Sequence, residues 1–183
     1  MRILRIVLPC LCLLATTSGQ AQRMFMKVMD PAQIPGECFQ QGFQQWSELT
    51  AFNAGSTAEL ITSGGNPSPT RPETKCFTFS MLQDKVGYWF KKEMYNGTNI
   101  ASIQFDMVKM TSGAGALQTY YRVYMENALV TAIEEAGSED GQTNMNISVV
   151  PRRFRYTYWP QNQDGSLGTP VTFGWDVTTN TAW

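Results

Sequence analysis

Between residues 76 and 159, apolar and polar side chains alternate with a period of two in six separate runs, and no other feature restricts the fold as much. The runs are 76–81, 103–109, 119–125, 127–133, 144–150 and 153–159. In the first, Phe77, Phe79 and Met81 share one face, and Thr78 and Ser80 the other. In the second, Ile103, Phe105 and Met107 oppose Gln104, Asp106 and Val108. Alternation of this kind marks strands with one face in a core and one outside it. An earlier apolar stretch, 24–29, is broken only by Lys27 and reads as a short buried strand ahead of Pro31, Pro35 and Gly36. Turns rich in Gly, Asn and Asp, such as 113–115 and 137–141, separate the runs. The pattern therefore predicts a mainly β, mainly antiparallel sandwich or barrel.

One segment leaves that period. Asp84 is placed to cap a helix that puts Val86, Trp89, Phe90 and Met94 on one face, with Lys91, Lys92 and Glu93 elsewhere and Gly97 as its stop. The helix is expected to plug an open end or cover a face of the sheet structure. Residues 53–73 carry no periodic pattern, are rich in Gly and Pro, and hold Leu60 and Ile61 in their middle, followed by Gly64 and Gly65. A stretch of this length without a core pattern is unusual inside a compact domain. It reads either as an arm that docks on a neighbour or as a loose hairpin tip.

At the start of the chain, Arg2 and Arg5 precede an apolar run at 6–15, and small residues at Gly19 and Ala21 close the polar stretch behind it. This is the form of a secretory signal peptide, so residues 1–21 are expected to be removed, leaving one domain over 22–183 in the periplasm or outside the cell. The apolar run is half the roughly 20 residues a membrane-crossing helix needs, and no membrane insertion is expected after cleavage. Loss of the leader takes Cys10 and Cys12 with it, leaving Cys38 and Cys76 in an oxidising compartment. These form either one disulfide or two separate thiols.

The residues available for chemistry are few. The sequence has no histidine, which removes Ser/His/Asp and Cys/His catalysis and every His-liganded metal site. Loss of Arg2 and Arg5 leaves 12 basic against 15 acidic side chains, a balance that speaks against nucleic acid. Glu134, Glu135, Glu139 and Asp140 surround Gly137 and Gly141 without the spacing of a calcium loop, and read as a solvated hairpin tip. Arg153 and Arg155 alternate with Phe154, Tyr156 and Tyr158, which is a core face backed by a basic one. No catalytic, metal or cofactor site is expected.

The segment 168–180, with Gly174, Trp175, Asp176 and then Asn180, resembles the ending of the haemolysin-coregulated protein (Hcp) family of type VI secretion systems. Other pieces follow in that family's order. Residues 24–28 and 34–37 resemble its opening strand and turn; 77–80, then Asp84-Lys85 and a helix ending at Asn96-Gly97, resemble its middle; 129–131 and 153–158 resemble its last hairpin. The resemblance implies an antiparallel β-barrel of two packed sheets with one helix and a long protruding loop. It also implies assembly into hexameric rings that stack through that loop, here carrying Leu60, Ile61, Gly64 and Gly65, and that carry secreted cargo. The alternative is an exported monomeric β-domain that binds a ligand or partner protein.

Overall fold

The structure, a computed structural model, describes residues 22–183 except 64, 111–116, 138 and 140. The expected leader, Gly64, the turn at 113–115 and Asp140 lie outside the described residues. The strands are β1 (Arg23–Asp30), β2 (Ala32–Ile34), β3 (Ser47–Asn53), β4 (Ser56–Thr57), β5 (Leu60–Ser63), β6 (Asn66–Pro69), β7 (Glu73–Thr74) and β8 (Phe77–Leu82). Helix α1 (Lys85–Asn96) follows, then β9 (Ile100–Met110), β10 (Leu117–Gly137), β11 (Thr143–Tyr158), β12 (Val171–Asp176) and β13 (Thr181–Ala182).

Six strands close a barrel. Their hydrogen-bonded order is β10, β9, β1, β3, β8, β11, and β10 pairs back onto β11, so this set has no free edge between its first and last members. Every pairing is antiparallel. Outside the ring of six, β2 pairs with β1, and β12 followed by β13 continues from β11. Runs 119–125 and 127–133 belong to one strand, β10, and 144–150 and 153–159 lie almost wholly in β11. Between the paired runs of β10, Asn127 takes a left-handed backbone (φ 48°), which Asn tolerates better than most residues.

Alternation sorts the interior as expected. Phe77, Phe79 and Met81 from β8, Ile103 and Phe105 from β9, and Ile147 from β11 are fully buried in the main core. A second, smaller core lies outside the barrel wall. Phe25 of β1 and Val108 of β9 point away from the main core and are covered by the loop before β3, where Phe43 stacks on Phe25 at 4.3 Å. That loop is tied down by backbone bonds from Gly36 to Gln45 and from Cys38 to Trp46.

Helix α1 has the expected ends. Asp84 accepts a bond from the Gly87 amide, and Gly97, at φ 65°, donates its amide back to the last turn. Ser47 donates to the other Asp84 oxygen at 2.6 Å, fastening the cap to the start of β3. Burial pushes the Asp84 carboxyl above its ordinary range despite these bonds. Val86 and Phe90 enter the main core with Trp89 packed beside them. Met94 does not: it is more than a third exposed, and Glu93 is buried instead, accepting from the Thr98 hydroxyl just past the helix end.

Of the two alternatives for Cys38 and Cys76, the structure has the second: no bridge joins them and both thiols are free. The register explains it. Cys38 bonds to Trp46, beside the start of β3, whereas Cys76 leads into β8 opposite the end of β3, with Asn53 across from Thr78. The two sulfurs therefore sit at opposite ends of a strand pair roughly 15 Å long, far beyond the about 7 Å limit on Cα separation for a disulfide. Denatured, unreduced mature protein is expected to titrate two thiols, with the exposed Cys76 reacting first in the native state. A count of zero would contradict this register.

Candidate assembly surfaces

The segment between β3 and β8 is a two-tiered hairpin. Strand β4 pairs with β7 at its base, β5 pairs with β6 towards its tip, and neither pair joins the barrel sheet. Thr70 donates its amide to the Glu59 carbonyl between the tiers, and its hydroxyl accepts from the Glu59 amide. At about 3.3 Å per residue the hairpin extends roughly 30 Å from Asn53. Leu60 and Ile61 near its tip are 70% and 56% exposed. The hairpin thus carries two large aliphatic side chains that are each more than half open to solvent.

A second apolar surface lies on β12. Beyond Val149, β8 no longer accompanies β11, and β12 takes its place along Arg153–Tyr158. The inner face of the barrel wall continues there as a ladder: Trp175 opposite Phe154, Phe173 opposite Tyr156, Val171 opposite Tyr158. Phe154 is in the core, but Tyr158, Val171 and Phe173 are each about half exposed or more. Tyr156 beneath them is buried enough that its phenol is pushed up to about 12. On its other side β12 is covered by β13 only at Trp175 and Asp176. The backbone of 171–173 has no strand partner there among the described residues, so an apolar strip borders a free edge.

The Gly174, Trp175, Asp176 and Asn180 set forms a clasp holding the end of the chain. A Cβ at Gly174 would stand 2.1 Å from the carbonyl oxygen of Trp183, whose amide donates to the Gly174 carbonyl. Trp175 stacks on Phe173 and pairs with Ala182. Asp176, buried, accepts from the Thr178 hydroxyl, from Arg153 at 2.7 Å and from the Thr179 amide. These donors, Thr178 first, hold its carboxyl well below the usual range. Asn180 adopts φ 55° in the turn that returns the chain. Trp183 then lies over the guanidinium groups of Arg155 and Arg153 at 4.3 and 5.6 Å. Replacing Gly174 with Ala must displace Trp183 and is expected to cost about 1–3 kcal/mol. Faster proteolytic trimming of the last residues would report the displacement, and unchanged stability and trimming would show that Trp183 moves aside freely.

A third surface is polar. On the outer face of β3, β8 and β11, Thr78 bonds to Ser148 (2.9 Å) and Ser80 to Asn146 (2.6 Å), with Ala51 and Asn53 beside them. Glu134 is the charged residue at its border. Glu134, Glu135 and Glu139 are exposed at or near the β10–β11 tip, as expected of a solvated turn. Among the described residues, no cluster of three metal-ligating side chains is present. No helix among them is long and apolar enough to cross a membrane.

The alternation of Val171, Phe173 and Trp175 was a legible signal for the β12 strip, although it is too short to stand out beside the longer runs. Asp106 had no such signal. It lies on the outer face of β9 yet is 1% exposed, gripped by Nε and Nη2 of Arg122, each at 2.7 Å, and by Thr119 and Gln104.

The family model described as "Type VI secretion system effector, Hcp" matches residues 25–159. No curated protein matches the sequence. Among solved structures, a type six secretion system protein superposes with a TM-score of 0.79 at 16% identity, covering 89% of this chain and 100% of that one. Hcp1 from Salmonella typhimurium gives 0.71 at 19% identity, with 89% and 99% covered. A type VI secretion system effector from Yersinia pestis gives 0.62 at 18% identity, with 84% and 99% covered. At these identities the superpositions establish the shared fold.

Proposed function

The chain belongs to the Hcp family of type VI secretion systems, whose members build rings and tubes, and from that premise we propose that six copies of it close into a ring and that rings stack. The observation that carries this reading is the apolar strip of Tyr158, Val171 and Phe173 beside a free strand edge. A large exposed apolar patch next to unpaired backbone is a surface built to be covered. Contacts between unlike patches on neighbouring copies run head to tail, and such contacts close into a ring when the rotation per copy fits.

The polar face of Ala51, Thr78, Ser80, Asn146 and Ser148 supports a place on the lumen wall. Its hydroxyl and carboxamide groups are already bonded to one another. A passing protein cargo meets a wall with few unsatisfied groups and little apolar surface, so it is held weakly and can move. The role is structural: the function lies in surfaces that repeat, with residues 1–21 directing export and Gln22 beginning the mature chain. Native mass measurement of the mature protein tests the ring directly. Masses at multiples of six chains support it, and a monomer at tens of micromolar would favour the reading as a solitary exported domain.

A further inference from the structure

With residues 1–21 removed on export, the chain starts one residue before the barrel. Cleavage behind Gly19 and Ala21 makes Gln22 the first residue, and β1 begins at Arg23, in register with Val108 of β9. Gln22 is exposed, and its carboxamide has no hydrogen bond among the described residues. Its neighbour is fully engaged. Arg23 donates from Nε and Nη2 to the two carboxylate oxygens of Glu48 at 3.0 and 2.9 Å, and from Nη1 to the Gln40 side chain. Its guanidinium also lies 5.0 Å from the centre of the Phe25 ring. One side chain thus ties β1 to β3 and to the loop that covers Phe25 and Val108.

From this placement we propose that Gln22 is a modification site, at which the α-amine closes on its own side chain to give a pyroglutamyl end. The proposal rests on the export reading above, which supplies the free amine. The amine nitrogen bonds to Cδ of the carboxamide, the Cδ–Nε2 bond breaks, and Nε2 leaves as ammonia with a proton taken from the amine. No oxidant, metal or second substrate enters. Both reacting groups belong to residue 22, which lies outside the β1 ladder, so closure needs only rotation about that residue's own bonds. An α-amine titrates at about 8, so part of it is neutral and nucleophilic at neutral pH. Closure also removes a positive charge one residue from the Arg23 guanidinium.

The consequence is protection. An aminopeptidase requires a free α-amine, and after Gln22 the next residue it would remove is Arg23, with its bonds to Glu48 and Gln40. A lactam presents no amine, so trimming stops before it reaches the tie between β1 and β3.

The test uses the full chain, leader included, recovered after export. Its intact mass is expected to equal residues 22–183 less one ammonia, with no residue released by amino-terminal sequencing. A mass equal to residues 22–183 that persists through prolonged incubation at neutral pH would overturn the inference and leave export in place, as would cleavage at any other bond. A chain that keeps residues 1–21 would remove the export reading and the inference with it. As a second measurement, Gln22→Ala keeps a small residue after the cleavage point and cannot cyclise. Incubated with an aminopeptidase, this variant is expected to lose its first residue and then Arg23, while the unsubstituted chain keeps its mass. Equal trimming of the two, or equal resistance, overturns the protective role.

Discussion

Phe105→Ala is expected to be among the most destabilising single substitutions in the barrel, costing about 3–5 kcal/mol. Phe105 is fully buried, stacks on Phe52 with ring centroids 4.1 Å apart, meets Tyr121 edge to face at 6.3 Å and lies 6.4 Å from Phe79. Its neighbours come from three further strands, β3, β8 and β10, all held in one closed hydrogen-bonded ring. A closed barrel cannot draw its walls together around a missing ring without disturbing pairings on every side, so the cavity persists and its full cost is felt. Against the about 5–15 kcal/mol total stability of a domain, this is a large share. Urea unfolding of the two proteins gives the difference from the shift in midpoint. A loss below about 1 kcal/mol would mean that the interior is loosely filled and that closure of the sheet, more than packing, sets its stability.

Phe173→Asp is expected to abolish ring formation while leaving the domain folded. Phe173 is 53% exposed, so the isolated chain loses little when the side chain becomes polar. In the ring, the same position would place an unpaired carboxylate in a covered apolar strip, at each of the six contacts, and a buried charge without a partner costs several kcal/mol apiece. Thr172→Asp is the control. Thr172 is on the same strand but faces the other way, opposite Thr157, where exposed polar groups already sit. Gel filtration should show a single-chain species for Phe173→Asp and an unchanged ring for Thr172→Asp. Rings that survive Phe173→Asp would place the lateral contact on another surface.

Much of the fold was open to reading because few residues conflict with it. The buried faces of β8 and β9 follow from alternation alone, and α1 begins and ends where Asp84 and Gly97 act as caps. What could not be read depends on long-range contacts. Phe25, Asp106 and Val108 are buried on the outer side of the wall because a loop or a side-chain cluster covers them, which no local period encodes. Met94 and Glu93 exchange roles because Thr98, beyond the helix, satisfies the carboxylate. The cysteines could not be placed without the register of β3 against β8. The four residues of the Gly-Trp-Asp segment were recognisable as a pattern, yet their physical reason appears only with Trp183 returning over Gly174. The arm between β3 and β8 was visible as an aperiodic stretch; its two-tiered internal pairing was not.

A barrel that serves as a repeating unit must assemble with copies of itself in solution. Native mass measurement of the mature chain, residues 22–183, at tens of micromolar and moderate salt tests it most directly. Six-chain rings and multiples of them are expected, and a protein that remains a single chain at every concentration would contradict assembly.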